Sequence, residues 1–203
     1  MIRLVVVTHN KKKLLEIKEI LKGMNLDVES LDAYKNPPKV IENGKTFKEN
    51  AAKKAVKLAR FTGKLCLGED SGLCVDALNG APGIYSARFS GKGKDDTKNN
   101  QKLLSLLKNT AWKERKAHYV CAVALADKDG LVGVVEGRCN GLIAFEPKGS
   151  AGFGYDPLFY IPKFKKTFAQ LGERIKHKMS HRFHALNKAR RIIQKYIVKQ
   201  VRS

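Results

Sequence analysis

Residues at an early strand-to-helix junction have the types and spacing to bind an anion. The stretch Thr8 to Lys13 reads Thr-His-Asn-Lys-Lys-Lys and follows the apolar run Ile2 to Val7. Free backbone N–H groups and the positive end of the helix dipole meet at such a junction, and both attract phosphate. An ordinary lysine-rich surface turn is the alternative, but three lysines there repel the dipole unless an anion is bound. The stretch is no P-loop, because the chain lacks Gly-x-x-x-x-Gly-Lys-Ser/Thr. The candidate phosphate ligands are Thr8, His9, Asn10, Lys11, Lys12 and Lys13.

Two adjacent carboxylates could contribute to a metal site. Glu69 and Asp70 follow the short apolar run Leu65 to Gly68 and precede a Ser-Gly pair. A magnesium site needs one or two carboxylates, with water and substrate phosphate oxygens at the other positions. Neighbouring side chains of a strand point to opposite faces, so we expect only one of the two to face the site. Glu42, in a long loop, is the candidate second ligand. A simple acidic turn beside a glycine is an equally strong interpretation.

A later group of residues could recognise a nucleobase. Phe153 to Asp156 reads Phe-Gly-Tyr-Asp, which offers rings for stacking and a glycine that allows close approach. Rings packed in the core are the alternative. Lys176, His181 and Arg182 flank the start of the last predicted helix. Arg182 could donate to a purine carbonyl oxygen, a contact that the adenine amino group does not accept, although a His-Arg pair is also common on ordinary surfaces.

Alternating strands and helices are expected to position these residues. Ile2 to Val7 predicts a strand, and the helical spacing of Leu14, Ile17 and Leu21 predicts the helix that follows it. Thr46 and Glu49 form a capping-box pattern ahead of a helix that should end near Thr62. The other predicted elements are strands at Leu26 to Leu31, Leu65 to Gly68 and, after a turn at Gly72, Leu73 to Leu78; a helix capped by Asp95 or Asp96; a hairpin of Ala117 to Ala126 and Leu131 to Cys139; and a last helix capped by Ser180. This order predicts an α/β fold with a mixed sheet.

Composition narrows the class of protein. The 203 residues suit one domain, and the 43% hydrophobic content argues against disorder. The sequence contains no apolar run long enough to span a membrane and no export-signal pattern, so a soluble cytoplasmic protein is expected. Its four cysteines form no Cys-x-x-Cys pair, which favours reduced core residues over a zinc or redox site.

The net charge of +21 is the most unusual bulk property. Pro157 to Ser203 alone carries 13 Lys and Arg against one acid, Glu173, a surplus of 12. The positive electrostatic field of such a charge attracts polyanions in general, and it does not distinguish nucleic acids, membranes and nucleotides. A nucleic-acid-binding protein is therefore the rival hypothesis from another class, but it leaves the acidic pair unexplained. A solvated lysine-rich surface is a third interpretation.

Six sequence blocks, in order from Thr8 to Arg182, together resemble the inosine triphosphate pyrophosphatase family. They are Thr8-x-Asn10-x-x-Lys13, Thr46-x-x-Glu49-Asn50-Ala51, Glu69-Asp70-Ser71-Gly72-Leu73, Gly80 to Arg88, Phe153 to Pro157, and Ser180-His181-Arg182. The resemblance implies an α/β fold with an elongated mixed β-sheet flanked by helices, in a single domain spanning residues 1–203 with two lobes around a central substrate cleft. It also implies a Mg²⁺-dependent homodimer that hydrolyses ITP, dITP and XTP to the monophosphate and pyrophosphate and so cleanses the nucleotide pool. Neither a membrane nor a specific nucleic acid is an expected partner.

The resemblance also implies roles for individual residues. Thr8, Asn10, Lys13 and Lys54 would hold the triphosphate. Glu42 and Asp70 would bind Mg²⁺, with Asp70 also the candidate general base. Ser71 would contact the substrate and Arg88 would approach the phosphates. The base pocket would consist of Phe153, Gly154, Tyr155, Asp156, Lys176, His181 and Arg182. Two positions depart from the family pattern, since His9 stands where many members have glycine and Glu69 where many have aspartate.

Overall fold

The computed structural model describes residues 1–202, and side chains from residue 1 to residue 200. Over that range the chain forms five α-helices and a seven-stranded sheet. The helices are α1 (Lys11–Leu21), α2 (Phe47–Thr62), α3 (Asp96–Leu106), α4 (Phe168–Lys176) and α5 (His181–Arg202). The strands are β1 (Ile2–Val7), β2 (Leu26–Ser30), β3 (Leu65–Val75), β4 (Lys116–Asp127), β5 (Gly130–Ile143), β6 (Phe159–Ile161) and β7 (Lys166–Thr167).

The sheet is mixed, with strand order β2-β1-β3-β4-β5-β6-β7. Strand β1 is parallel to both β2 and β3, as expected where helices connect successive strands. Strand β6 is antiparallel to both β5 and β7. The predicted α/β class with a mixed sheet is confirmed.

The chain divides into two compact units, each with its own apolar core. The first unit comprises Met1–Asp70, Cys121–Gly137 and the chain from Arg182 onward. Its core packs the apolar faces of β1, α1 and α5 together, and includes Leu4, Ile17, Leu67, Leu186 and Ile193. The helical spacing of Leu186, Ala189 and Ile193 explains why one face of α5 is buried.

The second unit comprises Ser71–Val120 and Arg138–His181. Its core is rich in aromatic rings, among them Tyr119, Tyr155, Phe159 and Phe168. The rings of Tyr119 and Phe159 lie 4.6 Å apart, and those of Phe159 and Phe168 lie 5.0 Å apart. Arg115 is buried in this unit, where its guanidinium donates to the backbone carbonyls of Leu107, Ile143 and Ala144.

Most predicted elements are present with the expected bounds. Strand β1 and the end of α2 at Thr62 match the sequence prediction, and Asp95 caps α3 by accepting a hydrogen bond from the Lys98 amide. Thr46 caps α2 as expected, but Glu49 accepts from the amide of Lys45 rather than from that of Thr46. The two hairpin strands are β4 and β5, which lie next to each other in the sheet.

The sequence prediction placed strand boundaries around β3 wrongly and missed one helix. Glu69 and Asp70 do not end a strand, because β3 continues from Leu65 to Val75 through the expected turn at Gly72. The strand continues because it is buried along most of its length, and the amide of Leu73 donates to the buried Ser86 hydroxyl. The strand predicted to reach Leu78 ends at Val75, and Asp76–Leu78 forms a 3-10 helix. Helix α4 was missed, although Thr167 and Gln170 form a capping box at its start; Gly172, with φ of 74°, interrupts its helical pattern.

The cysteines are reduced, as the sequence predicted. All four cysteines are free thiols, and three of them, Cys66, Cys121 and Cys139, are buried. Burial raises the pKa of the Cys66 and Cys139 thiols to about 11, which makes them poor nucleophiles. Among the described residues, no helix is both long and apolar enough to cross a membrane.

Candidate active site

The proposed anion turn has the predicted strand-loop-helix geometry. Asn10 caps helix α1, and its side-chain oxygen accepts a hydrogen bond from the Lys13 amide at 3.2 Å. The Thr8 hydroxyl oxygen accepts from the Asn10 amide at 3.1 Å. Lys11 and Lys12 are exposed in a first turn that contains no acidic residue. The turn therefore presents cations and a helix N-terminus together, while phosphate binding by its residues stays a prediction.

His9, in the middle of this turn, is paired with an acid of the next loop. Its exposed ring nitrogen Nδ1 lies 2.9 Å from Asp32 Oδ1. Hydrogen bonds from His9 and Ser30 lower the pKa of Asp32 below its usual value. Asp32 thus anchors the turn to the segment after β2, and direct contact between His9 and a substrate remains a prediction.

Lys54 brings the two predicted metal ligands to one point. Its ammonium nitrogen lies 2.6 Å from Glu42 Oε2 and 3.4 Å from Asp70 Oδ1, and it also donates to the Glu69 carbonyl at 3.0 Å. Glu42 lies in the loop before α2, Lys54 on α2, and Asp70 on β3. Three separate segments of the first unit therefore place two carboxylates and one cation together, while metal binding by Glu42 and Asp70 stays a prediction.

Asp70 is a buried acid with a perturbed pKa. Only 9% of the residue is exposed. Burial raises the pKa of its carboxyl above the ordinary value, while the charge of Lys54 and a hydrogen bond from Asn50 partly oppose that shift. A carboxylate with a raised pKa is a stronger base than a solvated aspartate, which suits a residue that accepts a proton or a hydrogen bond from water.

Glu69 faces a different environment and joins a buried ion network. Arg182, with no exposed surface, donates from Nε and Nη2 to the two oxygens of Glu69 at 3.1 and 2.8 Å. Its Nη1 donates to Glu16 at 2.5 Å, and Lys13 donates to Glu69 at 3.2 Å. Burial disfavours the guanidinium charge, but the attraction of Glu69 and Glu16 outweighs it and raises the pKa of Arg182. Two positive and two negative side chains thus form one network in the first unit.

This network changes how two sequence predictions are understood. Glu69 and Asp70 are neighbours on a strand, and they serve different partners, Arg182 for the first and Lys54 with Asn50 for the second. The side chain of Arg182 is deeply buried and not part of an ordinary basic surface. Its predicted contact with a purine carbonyl remains a prediction, and its bonds to Glu16 and Glu69 show what holds the guanidinium in place.

Several predicted base-pocket residues contact one another in the second unit. Lys176 and Asp156 form a buried ion pair with 2.5 Å between Nζ and Oδ2. The same carboxylate oxygen accepts from the Phe153 amide at 3.0 Å, and the Lys176 ammonium lies 4.5 Å from the centre of the Phe153 ring. Asp156 therefore fixes the loop, and Lys176 places a cation beside an aromatic ring. His181 stacks on Tyr119 with ring centres 4.6 Å apart.

Two side chains of helix α3 bond to the backbone at the centre of this loop. Asp96 accepts from the Gly154 amide at 2.7 Å, and Asn100, one turn later, donates to the Gly154 carbonyl at 3.0 Å. The next residue, Tyr155, is buried and donates from its hydroxyl to the Ser86 carbonyl at 2.8 Å. A nucleobase contact was predicted at Gly154. Both backbone polar groups of this residue are already bonded to side chains of α3.

The two remaining predicted site residues lie in the second unit. Arg88 ends the 3-10 helix Gly83–Arg88, and its guanidinium carbon lies 5.1 Å from the centre of the Tyr85 ring. Ser71 is half-buried on β3, directly after Asp70. Their contacts with substrate remain predictions.

Four positioning side chains were missed by the sequence reasoning. They are Glu16, Asn50, Asp96 and Asn100. Glu16 lies three residues after Lys13, and Asn50 lies within one of the six blocks, so spacing offered a weak signal for both. The partners of Asp96 and Asn100 are more than fifty residues away, and no local pattern announces such contacts.

The donor set around Lys54 fits a metal that prefers oxygen. Across residues 1–202, no group of three or more His, Cys, Asp or Glu side chains could hold a metal ion. Two converging carboxylates, Glu42 and Asp70, still suit Mg²⁺, which commonly takes one or two protein carboxylates and completes its shell with water and phosphate.

Comparison with known proteins finds relatives that match nearly the whole chain. A model of the Ham1 family matches residues 4–192. A protein of Desulforamulus reducens named dITP/XTP pyrophosphatase is 49% identical over 198 residues, covering 98% of each chain. One of the same name from Geobacter sulfurreducens is 47% identical over 186 residues, covering 92% of this chain and 94% of its own.

Two solved structures share the fold over nearly the whole chain. The Ham1 protein of Staphylococcus aureus superposes with a TM-score of 0.86 at 38% identity, over 96% of this chain and 99% of its own. A HAM1 protein from Coxiella burnetii gives a TM-score of 0.88 at 36% identity, over 96% of this chain and 100% of its own. These matches confirm the resemblance drawn from the six blocks. With the family model covering nearly the whole chain and the fold shared throughout, this protein is a member of the Ham1 family.

Proposed function

We propose that the chain hydrolyses non-standard purine nucleoside triphosphates, ITP, dITP and XTP, to the monophosphate and pyrophosphate. The names of its relatives, dITP/XTP pyrophosphatase, support the reaction and the substrate class. The observation in the structure that carries the proposal is the convergence of Glu42 and Asp70 on Lys54. Carboxylates and an ammonium gathered at one point suit a polyphosphate with its counter-ion.

The phosphate end of the substrate is assigned to residues of the first unit. Lys13 and Lys54 supply positive charge, and the positive end of the α1 helix dipole lies beside Thr8 and Asn10. Hydrolysis of a triphosphate to pyrophosphate requires charge to be neutralised on the leaving oxygens, and cations held in position meet that need.

Mg²⁺ is the proposed cofactor, with Glu42 and Asp70 as its protein ligands. Their oxygens already lie around a single cation, the Lys54 ammonium, so the arrangement tolerates positive charge at that point. When bound, Mg²⁺ would neutralise phosphate charge and acidify a bound water. Glu69 is not assigned to the metal, because both of its carboxylate oxygens accept from Arg182.

Asp70 is assigned to the attacking water. Its raised pKa makes the carboxylate a stronger hydrogen-bond acceptor than a solvated aspartate. Asp70 would orient a water molecule for attack on the α-phosphorus, with pyrophosphate leaving from the opposite side. The water proton would pass to the carboxylate or to solvent, and the oxygen from water would remain on the nucleoside monophosphate.

The base end of the substrate is assigned to Phe153 to Asp156, Lys176, His181 and Arg182. Lys176 and Arg182 carry N–H donors, and such a donor can bond to the carbonyl oxygen of hypoxanthine or xanthine but not to the amino group of adenine. The ring of Phe153 offers a stacking face.

The physiological setting is also part of the proposal. The protein would act as a cytoplasmic homodimer that removes non-standard triphosphates from the nucleotide pool. Its partner is the small-molecule substrate, and neither a specific nucleic acid nor a membrane is required. The +21 charge would then serve to attract a polyanionic nucleotide.

Steady-state rates with a panel of triphosphates test the proposal. ITP, XTP and dITP should be turned over with kcat/KM at least about a hundredfold above ATP, because adenine would leave a buried donor without a partner at a cost of up to about 3 kcal/mol. GTP serves as the matched substrate that retains the purine carbonyl. Comparable rates for ITP and ATP would refute the selectivity. A chain that hydrolyses none of them but binds RNA or DNA with a steep loss of affinity in salt would support the rival function.

A further inference from the structure

Asn50 connects the two segments that carry the proposed metal ligands. It lies in the first turn of α2, and only 1% of its surface is exposed. Its Nδ2 donates to Asp70 Oδ2 at 3.0 Å. Its Oδ1 accepts from the Gly44 amide at 2.7 Å, two residues beyond Glu42. One buried side chain thus bonds to the strand of Asp70 and to the loop of Glu42.

Asn50 and Lys54 hold opposite oxygens of the same carboxylate. Asn50 contacts Oδ2 of Asp70, and Lys54 contacts Oδ1. The two residues are four apart on α2 and therefore lie one above the other on the same face. A rotation of the Asp70 carboxylate would lose both contacts, so the helix fixes its orientation as well as its position. Lys54 contributes a positive charge, and Asn50 contributes a directional hydrogen bond from an uncharged group.

The loop that carries Glu42 is fitted closely against Asn50. A methyl group on Gly44 would lie 2.6 Å from Asn50 Oδ1 and 2.8 Å from Glu49 Cβ. Both distances are well below van der Waals contact, so any larger residue at Gly44 would displace the loop or the Asn50 amide. Glycine is needed here for close approach rather than for an unusual backbone angle. The loop cannot move away from α2 without losing the 2.7 Å hydrogen bond.

An amide satisfies both contacts at this position. Asn50 must donate to a carboxylate and accept from a backbone N–H at the same time, and asparagine provides one group of each kind. Alanine would leave the buried Asp70 oxygen and the Gly44 amide without these partners. Aspartate would place a second negative charge against Asp70.

We infer that Asn50 is a positioning residue that sets the Asp70 carboxylate and the Glu42 loop in the geometry that binds a divalent cation. The inference rests on the proposed function, because it takes Glu42 and Asp70 as the metal ligands. Loss of an outer partner of a metal ligand typically weakens metal affinity by about 10- to 100-fold. Asn50→Ala should therefore weaken Mg²⁺ binding by a factor in that range.

The test measures Mg²⁺ binding without nucleotide, by calorimetric titration of the full-length protein. Asn50→Ala is compared with wild type and with Asn140→Ala, a matched change at an exposed asparagine on β5 in the second unit. Asn140→Ala should stay within about twofold of wild type, as surface substitutions usually do. Gly44→Ala is the second variant, since it keeps the Asn50 side chain but displaces the loop that Asn50 holds.

Activity then separates positioning from general damage. For Asn50→Ala and Gly44→Ala, the Mg²⁺ concentration for half-maximal ITP hydrolysis should rise at least about tenfold, in step with the binding constant. At saturating Mg²⁺, KM for ITP should stay near the wild-type value. If circular dichroism shows that one variant is unfolded, the other variant decides whether Asn50 has the positioning role.

Two results would overturn the inference, and they differ from failure of the proposed function. An active wild type with folded variants that bind Mg²⁺ normally would remove the positioning role alone. Lower kcat at saturating Mg²⁺ with unchanged Mg²⁺ affinity would do the same. A wild type that hydrolyses no triphosphate would remove the proposed function, and the inference with it.

Discussion

Replacing Gly68 with alanine would force a methyl group against the backbone of helix α2. The added carbon would lie 2.3 Å from the Ala51 carbonyl oxygen, 2.7 Å from the Ala55 nitrogen and 3.0 Å from Lys54 Cβ. Ordinary contacts of these kinds lie near 3.5 Å, so β3 and α2 must separate by about 1 Å. Neither backbone can yield as a flexible side chain would.

The expected cost follows from that displacement. Overpacking a core costs about 1–3 kcal/mol, and contacts with helix backbone favour the upper end. About 3 kcal/mol corresponds to a loss of about 6–12 °C in Tm for a chain of this size. The same displacement moves Lys54 away from Asp70, and a misplacement of about 1 Å can reduce the rate about a hundredfold.

Thermal unfolding and ITP turnover measure both effects. Gly93→Ala is the matched control, because a methyl group on this exposed glycine would meet no other atom within 4 Å. The control should change stability by no more than about 0.5 kcal/mol. A Gly68→Ala protein with the Tm and the turnover of wild type would refute the reasoning about the close contact between β3 and α2.

Three further predictions concern the ion network, the buried acid and the base-side loop. Arg182→Met should lower the free energy of unfolding, measured in urea, by about 3–5 kcal/mol because it leaves buried carboxylates unpaired. The control Arg3→Met, at a half-exposed ion pair, should cost less than about 1 kcal/mol. Equal losses for the two variants would contradict the assignment. The pKa of Asp70 is raised in the folded state, so the folded protein favours the protonated carboxyl. The resulting contribution to the free energy of unfolding is fully present below the unfolded pKa and is lost as pH rises through the folded pKa. Asp70→Asn should therefore raise Tm at pH 7 in metal-free buffer while abolishing turnover, with an advantage that shrinks as pH falls through the aspartate range, and a variant with lower Tm at pH 7 would refute this. Asp96→Ala removes the acceptor of the Gly154 amide and should raise KM for ITP about tenfold, the value of one hydrogen bond of about 1.4 kcal/mol, with little change in kcat; an unchanged KM would argue against the loop assignment.

Local patterns predicted much of the fold because they report on local forces. The β-branched run Ile2 to Val7 and the Thr46 cap predicted β1 and the start of α2 correctly. The Ser-Gly pair after Asp70 misled the prediction of β3, because burial along most of the strand overrides the turn signal. Helix α4 was hidden by Gly172, which breaks the helical pattern that a sequence search depends on.

The candidate site was predictable where it reads as a motif and not where it depends on distant partners. The convergence of Glu42, Lys54 and Asp70 was expected from the family resemblance, and the structure brings them together. The bonds of Arg182 to Glu69 and Glu16 span 113 and 166 residues, a separation that no local pattern encodes. Asn50 illustrates the same limit, because its role depends on two segments folding against it.

Hydrolysis of ITP in water enriched in ¹⁸O is the most direct test of the central claim. If Asp70 directs water to the α-phosphorus, mass spectrometry of a single-turnover reaction should find one ¹⁸O in the inosine monophosphate and none in the pyrophosphate. Label in pyrophosphate would place the attack on the β-phosphorus, and release of labelled single phosphate would show cleavage at the γ-phosphorus. Either of those results would contradict the proposed reaction.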